Sequence, residues 1–229
     1  MMYELGAANT NELDVQGLTN RLNHRNTVAL TGAGISVASG LPLGNEAVNG
    51  IPLNALFLFD TWTQRPNQAY DAYRSILSRW RQASPNAAHR VLAAHQIRII
   101  TQNIDGLHRD AGSRDVIELH GNLRELVCLT CESVFSSDLA LQHSIPSCPT
   151  CGKQLFSGFI MEGHPVRHIA RAVEWVAAAE YLLVIGTQLA MDPVRRLREI
   201  ARERGADVFW ISDKAEHWLP VLFGETTHS

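Results

Sequence analysis

Read for hydrophobic and polar positions, the chain alternates short, nearly continuous apolar runs with longer stretches of helical spacing. Residues Thr27–Thr31 form the first such run, which stops at Gly32-Ala33-Gly34, where the backbone has to turn tightly. The runs Ile97–Thr101, Val116–Leu119, Tyr181–Ile185 and Asp207–Ile211 repeat the pattern and read as further strands, rich in β-branched residues as buried parallel strands are. Between them, apolar residues recur at helical spacing over Ala69–Arg81, Ala87–His95, Val166–Ala179 and Pro193–Arg204. Ser84 is the expected N-cap of the second of these helices, with Pro85 in its first turn. Leu43 to Pro66 carries no clear period. Strands alternating with helices predict an α/β fold, a Rossmann-like, doubly wound and mostly parallel sheet with its ligand crevice at the carboxyl ends of the strands. Asn122 to Phe159 breaks the rhythm and is assigned to a small inserted module. The expected organisation is a single domain over residues 1–229, with the Rossmann-like part in 20–121 and 160–229 and the module at about 122–159.

Composition narrows the function. A formal net charge of −3 on 229 residues supplies no electrostatic reason for nucleic acid or an anionic membrane as the main partner. No run approaches the roughly 18 apolar residues that a membrane span needs, and the polar start lacks a secretory pattern, so a cytoplasmic location is expected. All four cysteines lie in the module, as Cys128-x2-Cys131 and, sixteen residues on, Cys148-x2-Cys151. Two such knuckles match a zinc ribbon, whose four thiolates leave no position for water or substrate, so the metal would be structural. Two disulfides or free thiols are the alternatives.

Four segments fall at the ends of predicted strands: Gly32–Ser36, Gln102–Asp105, His120-Gly121 and Gly186–Gln188. The fold would bring them to one crevice. Glycines at 32 and 34 would permit close backbone approach to a pyrophosphate, although a Gly-Ala-Gly turn alone serves structure equally well. The spacing is not the G-x-G-x-x-G of dehydrogenases. A histidine at a strand end suits proton transfer near neutrality, and an aspartate can accept hydrogen bonds from an amide; Asp105 before Gly106 could also be a plain turn residue.

Taken in order, Gly32-Ala33-Gly34-Ile35-Ser36-x-x-Ser39-Gly40-Leu41-Pro42, Pro85-Asn86-x-x-His89-x-x-Leu92-Ala93, Thr101-Gln102-Asn103-Ile104-Asp105-Gly106-Leu107-His108, Glu118-Leu119-His120-Gly121 and Gly186-Thr187-Gln188-Leu189, with the four-cysteine insert, resemble the sirtuin family over about Thr27 to Ile211. The resemblance implies NAD as co-substrate and a structural zinc on Cys128, Cys131, Cys148 and Cys151. It places Ala33, Gly34 and Ser39 along the dinucleotide, Gln102 and Asn103 at the nicotinamide ribose, and Asp105 at the carboxamide. Gly186, Thr187 and Gln188 fall to the adenosine half, with Ser212 or Asp213 at its ribose. His120 would be the general base acting on a ribose hydroxyl. His89 and His108 are given packing or hydrogen-bonding roles. The implied activity is NAD-dependent deacylation of an acylated-lysine protein, releasing nicotinamide and acyl-ADP-ribose.

The sequence departs from the family in places. After Pro42 it reads Leu43-Gly44-Asn45-Glu46 where most deacylating members have Asp-Phe-Arg-Gly, with Asn45 or Arg74 as possible compensation. The family's Phe-Gly-Glu loop is Glu162-Gly163-His164, and the tyrosine–arginine pair of the subgroup preferring acidic acyl chains is reduced to Tyr73-x-x-Ile76. These changes keep two alternatives open: an NAD glycohydrolase or ADP-ribosyltransferase on the same scaffold, and a non-catalytic NAD-binding sensor.

Overall fold

The computed structural model describes residues 2–5, 21–42 and 47–225. In chain order the strands are β1 (Met2–Leu5), β2 (Thr27–Thr31), β3 (Ala47–Val48), β4 (Ile51–Pro52), β5 (Arg98–Thr101), β6 (Val116–Glu118), β7 (Gly121–Val127), β8 (Val134–Ser136), β9 (Phe156–Phe159), β10 (Tyr181–Ile185) and β11 (Asp207–Ile211). The α-helices are α1 (Phe59–Gln64), α2 (Pro66–Trp80), α3 (Ala87–Ala94), α4 (Leu107–Asp110), α5 (Asp138–Gln142), α6 (Ile169–Ala177), α7 (Val194–Glu203) and α8 (Ala215–Leu222), with 3-10 turns at Ala33–Ser39 and Leu53–Phe57.

Six strands make one parallel sheet in the order β1-β11-β10-β2-β5-β6. Strands β2 and β10 are buried at every position because both faces are covered, and they are apolar apart from Thr27 and Thr31 at the ends of β2. Val28 and Leu30 of β2, with Ile100, Leu182, Val184 and Val208, pack against Ala172 and Val176 of α6 and Leu197 and Ala201 of α7. The alternating Ala29, with Ile99, Leu183, Phe209 and Ile211, packs against Val91 and Leu92 of α3 and Trp218, Leu219 and Leu222 of α8. Period-two alternation thus feeds two helical layers from one set of strands. From β2 the chain builds outward through β5 and β6, then returns to β2's other side with β10, so the strand order reverses between β2 and β10.

Three departures from the sequence reading have local causes. The N-cap of α3 is Asn86, whose side chain accepts from the Ala88 N–H at 3.0 Å, and not Ser84. An asparagine directly before the first helical residue out-competes a serine two residues earlier. Leu43–Pro66, which carries no clear period, folds from residue 47 onward into the β3–β4 hairpin, a 3-10 turn and α1, elements too short to show one. The strand β1, Met-Tyr-Glu-Leu, has no β-branched run to mark it; it is held at the sheet edge by parallel pairing with β11 and by Tyr3 stacked on Phe209 at 4.7 Å.

Residues 121–159 form a three-stranded antiparallel sheet, β8-β7-β9, with α5 beside it. Its core is shared with α1 and α2: Trp62, Tyr70 and Tyr73 pack with Leu123, Leu126, Leu155 and Phe159. Tyr70 donates its hydroxyl to the Leu155 carbonyl, and Tyr73 donates to the Leu123 carbonyl at 2.5 Å. Arg74 reaches the Ala140, His143 and Ser144 carbonyls, closing the carboxyl end of α5. Among the described residues no helix is long and apolar enough to cross a membrane.

Candidate functional site

The reversal of strand order puts the carboxyl ends of β2 and β10 side by side, and the glycines of the two following loops meet there. The Gly32 N–H donates to the Ile185 carbonyl and the Gly34 N–H to the Gly186 carbonyl, each at 2.9 Å. A Cβ on Gly34 would lie 2.5 Å from the Gly186 Cα, and one on Gly186 would strike the Ile35 amide. Both positions demand glycine because two backbones touch. At Gly34 this contact is a structural demand for glycine beside the approach to a pyrophosphate expected from sequence.

Gln102, Asn103 and Asp105 follow β5 and are locked to these loops. Gln102 Nε2 donates to Thr187 Oγ1 at 2.7 Å, and Asn103 Nδ2 donates to the Gly32 carbonyl at 3.1 Å and to Ser36 Oγ at 3.2 Å. Asp105, 5% exposed, accepts from Ser36 Oγ at 2.8 Å and from the Leu107 N–H at 2.9 Å. Burial pushes its carboxyl above the ordinary aspartate range, opposed by those donors and by the Arg124 charge. Ser36 lies at the centre of this network. Its membership of the Gly32–Ser36 segment was the available signal, though no role could be assigned to it from sequence.

Ala33, Ser36, Gln102, Asn103, Asp105 and His120 line one cavity of about 160 Å³. Its other wall is mostly apolar, with Leu41, Pro42, Leu53, Phe57, Trp80 and Ile104 interrupted by Asn54. None of Leu53, Phe57 or Trp80 was marked by a motif, because the chain folds them over the crevice from the 3-10 turn and α2. His120 sits where the chain passes from β6 to β7. Its carbonyl accepts from the Ile160 N–H at 2.8 Å, and Gly121 follows with φ +79, a left-handed conformation in which a Cβ would collide with the Gly158 carbonyl. Burial lowers the His120 pKa, and a hydrogen-bonding approach to the Gln102 backbone opposes this.

The remaining expected residues are dispersed. Ser39 Oγ accepts from Asn86 Nδ2 at 3.0 Å and faces a neighbouring hollow with Pro85 and Arg90. Gln188 and Ser212 are exposed beyond β10 and β11, at the same sheet edge as Gly186 and Thr187. Arg74, engaged on α5, does not line the crevice; Asn45 lies outside the described residues. Tyr73 is buried with its hydroxyl on a carbonyl, so it offers nothing to an acidic acyl chain. His89 and His108 are buried with rings 4.8 Å apart, and His108 Nε2 lies 3.0 Å from Thr31 Oγ1, in keeping with packing and hydrogen-bonding roles.

The cysteines converge from two knuckles, with Glu132 and Gly152 at positive φ in the turns. The four Sγ atoms all lie within 4.8 Å of one another, with Cys128 and Cys151 3.4 Å apart and Cys131 and Cys148 3.5 Å apart. A disulfide requires about 2.0 Å, whereas a tetrahedral zinc with sulfur ligands at about 2.3 Å separates them by about 3.8 Å. The set fits zinc.

A family model described as Sir2 family matches residues 32–193. The chain is 36% identical over 216 residues to the NAD-dependent protein deacylase 1 of Caldanaerobacter subterraneus subsp. tengcongensis, covering 87% of this chain and 88% of that protein. It is 35% identical over 200 residues to an NAD-dependent protein deacetylase of Caldivirga maquilingensis, covering 82% and 78%. Among solved structures, Sir2Tm bound to a propionylated peptide superposes with TM-score 0.81 at 26% identity, over 94% of this chain and 98% of that one. A Sir2 homolog–NAD complex does so with TM-score 0.81 at 27% identity, over 94% and 93%.

Proposed function

The chain belongs to the Sir2 family, and from that premise we propose how its crevice carries out NAD-dependent protein-lysine deacylation. The observation that carries the reading is the convergence of Asn103, Asp105 and His120 on one cavity at the strand-order reversal. NAD, when bound, supplies an ADP-ribosyl electrophile with nicotinamide as leaving group. Asp105 accepts from the carboxamide NH2 and so orients that leaving group. Gln102 and Asn103, pre-ordered by Thr187 and Ser36, face the adjoining ribose. Ala33, Gly34, Gly186, Thr187, Gln188 and Ser212 border the path toward the adenosine half, with Ser39 supporting the loop through Asn86. His120, kept neutral by burial, takes a proton from a ribose hydroxyl as the acyl group is transferred. The wall of Leu41, Pro42, Leu53, Phe57 and Trp80 excludes water from the reacting centre. Cys128, Cys131, Cys148 and Cys151 hold a structural zinc in a module at about residues 122–159. The protein's partner is an acylated-lysine protein, and its working location is the cytoplasm.

The test is incubation with NAD, with and without acetylated peptide, followed by mass identification of products. Peptide-dependent deacetylation with acyl-ADP-ribose is expected. NAD cleavage at equal rate without peptide would favour a glycohydrolase or ADP-ribosyltransferase, the alternative raised by Leu43-Gly44-Asn45-Glu46, and NAD binding without turnover would favour a sensor.

A further inference from the structure

We propose that a hollow beside the crevice, lined by Leu58, Phe59, Asp60 and Glu162, receives a lysine or arginine side chain lying a few residues from the acylated lysine of the protein substrate. This rests on the deacylase reading given above and adds a selectivity to it.

The hollow measures about 250 Å³. Two of its residues are large and apolar yet open to solvent, Leu58 at 42% exposure and Phe59 at 41%. The other two are exposed carboxylates, and among the described residues neither pairs with a cation. Asp71, Asp110 and Asp138, by contrast, each carry an arginine. Apolar surface beside unpaired carboxylates matches a side chain with an aliphatic stem and a cationic head. A larger groove of about 970 Å³ shares Leu58 and Asp60 with the hollow, but it adds Arg65 and the Asp71–Arg74 pair and so carries no net charge. The charge match is local to the hollow.

Its rim is already fixed. Phe59 stacks on Phe156 of β9 at 5.4 Å, and the Glu162 N–H donates to the Phe57 carbonyl at 2.7 Å, so a ligand meets side chains whose backbones need no ordering. Phe57 is itself a wall of the crevice, with its ring 4.9 Å from that of Phe159. The chain thus passes from crevice wall to hollow within one residue. An extended peptide advances about 3.3–3.6 Å per residue, so a side chain within about three residues of the acylated lysine reaches the hollow. Asp60 stands in the first turn of α1, where a carboxylate also complements the helix dipole. Glu162 lies outside any helix and has no such use, which makes it the discriminating position.

The experiment measures kcat/KM with NAD for acetyl-lysine peptides that carry arginine, norleucine or glutamate in turn at each position up to three residues on either side. At one position the wild type should favour arginine over norleucine by about fivefold at low ionic strength, mainly through KM, and the preference should fade in molar salt. Glu162→Gln should remove most of that ratio, and Glu162→Lys should invert it in favour of glutamate, with zinc content and Tm unchanged. Asp60→Asn should lower the ratio as well, and carries the same test if the Glu162 variants fail to fold. A ratio near one at every position, or a ratio that Glu162→Lys leaves intact, would overturn the proposal while the deacylase reading stands. Self-association of the wild type that Glu162→Lys abolishes would assign the hollow to a second copy of this chain and overturn it too. Turnover of no peptide at all would remove the deacylase reading and the proposal with it.

Discussion

Acidification should unfold this protein in part through His89, and substituting that residue should blunt the effect. His89 is fully buried on α3, with its ring 4.8 Å from His108 and Nε2 3.5 Å from Ser36 Oγ. Burial, with a smaller contribution from the Arg90 charge, lowers its pKa from 6.5 to about 4. A base depressed in the folded state binds its proton more readily when unfolded, so stability is intact above pH 6.5 and falls as the pH drops toward 4. The linkage amounts to about 1.3 kcal/mol lost between pH 7.5 and 5.5, approaching about 3.4 kcal/mol below pH 4. His108, fully buried and also depressed, acts in the same direction. His89→Gln keeps a nitrogen donor for Ser36 and removes the titration. Urea unfolding at pH 7.5 and 5.5 should show the wild type losing about 1.3 kcal/mol more than the variant. Parallel losses in the two proteins would refute the argument, because carboxylates and thiolates common to both cancel in the comparison.

Other outcomes follow from the same geometry. Cys128→Ser should abolish stoichiometric zinc and lower Tm by more than about 10 °C, read by metal analysis and calorimetry, because Cys128 and Cys148 belong to the core that Tyr70 and Tyr73 also fill. His120→Ala should cut peptide deacetylation by about a hundred- to ten-thousandfold. Wild-type kcat/KM should decline on acidification with a midpoint below 6.5, since burial lowers the His120 pKa and neutral imidazole is the active form; a midpoint above 6.5 would contradict the site as described. Gly34→Ala should destabilise by about 3 kcal/mol, because its Cβ would lie 2.5 Å from Gly186 Cα with backbone on both sides. A variant as stable as wild type in urea would show that the two loops can separate at little cost.

Much of this was legible in the sequence because it depends on local pattern. The strands Thr27–Thr31, Tyr181–Ile185 and Asp207–Ile211 were readable to the residue, since a run covered on both faces is apolar in its interior, with Thr27, Thr31 and Asp207 confined to the ends. The cysteine spacing announced a metal because two C-x2-C knuckles are short-range geometry. The motif blocks named the crevice residues, but only the strand order β1-β11-β10-β2-β5-β6 explains why segments ending at Ser36, Asp105, His120 and Gln188 meet.

What the tertiary structure alone decided depends on contacts between residues far apart in the chain, for which a single sequence carries no signal. Gly34 and Gly186 look like independent turn glycines until their backbones are seen to touch. Arg74, a reasonable substitute for a missing arginine, is drawn to the carboxyl end of α5, while Arg124, unremarked in the sequence, lies over Gly106. Leu53, Phe57 and Trp80 become a crevice wall, and His89 and His108 become a buried neutral pair. In each case burial and electrostatics are set by neighbours that folding supplies, and a residue's own type does not determine them.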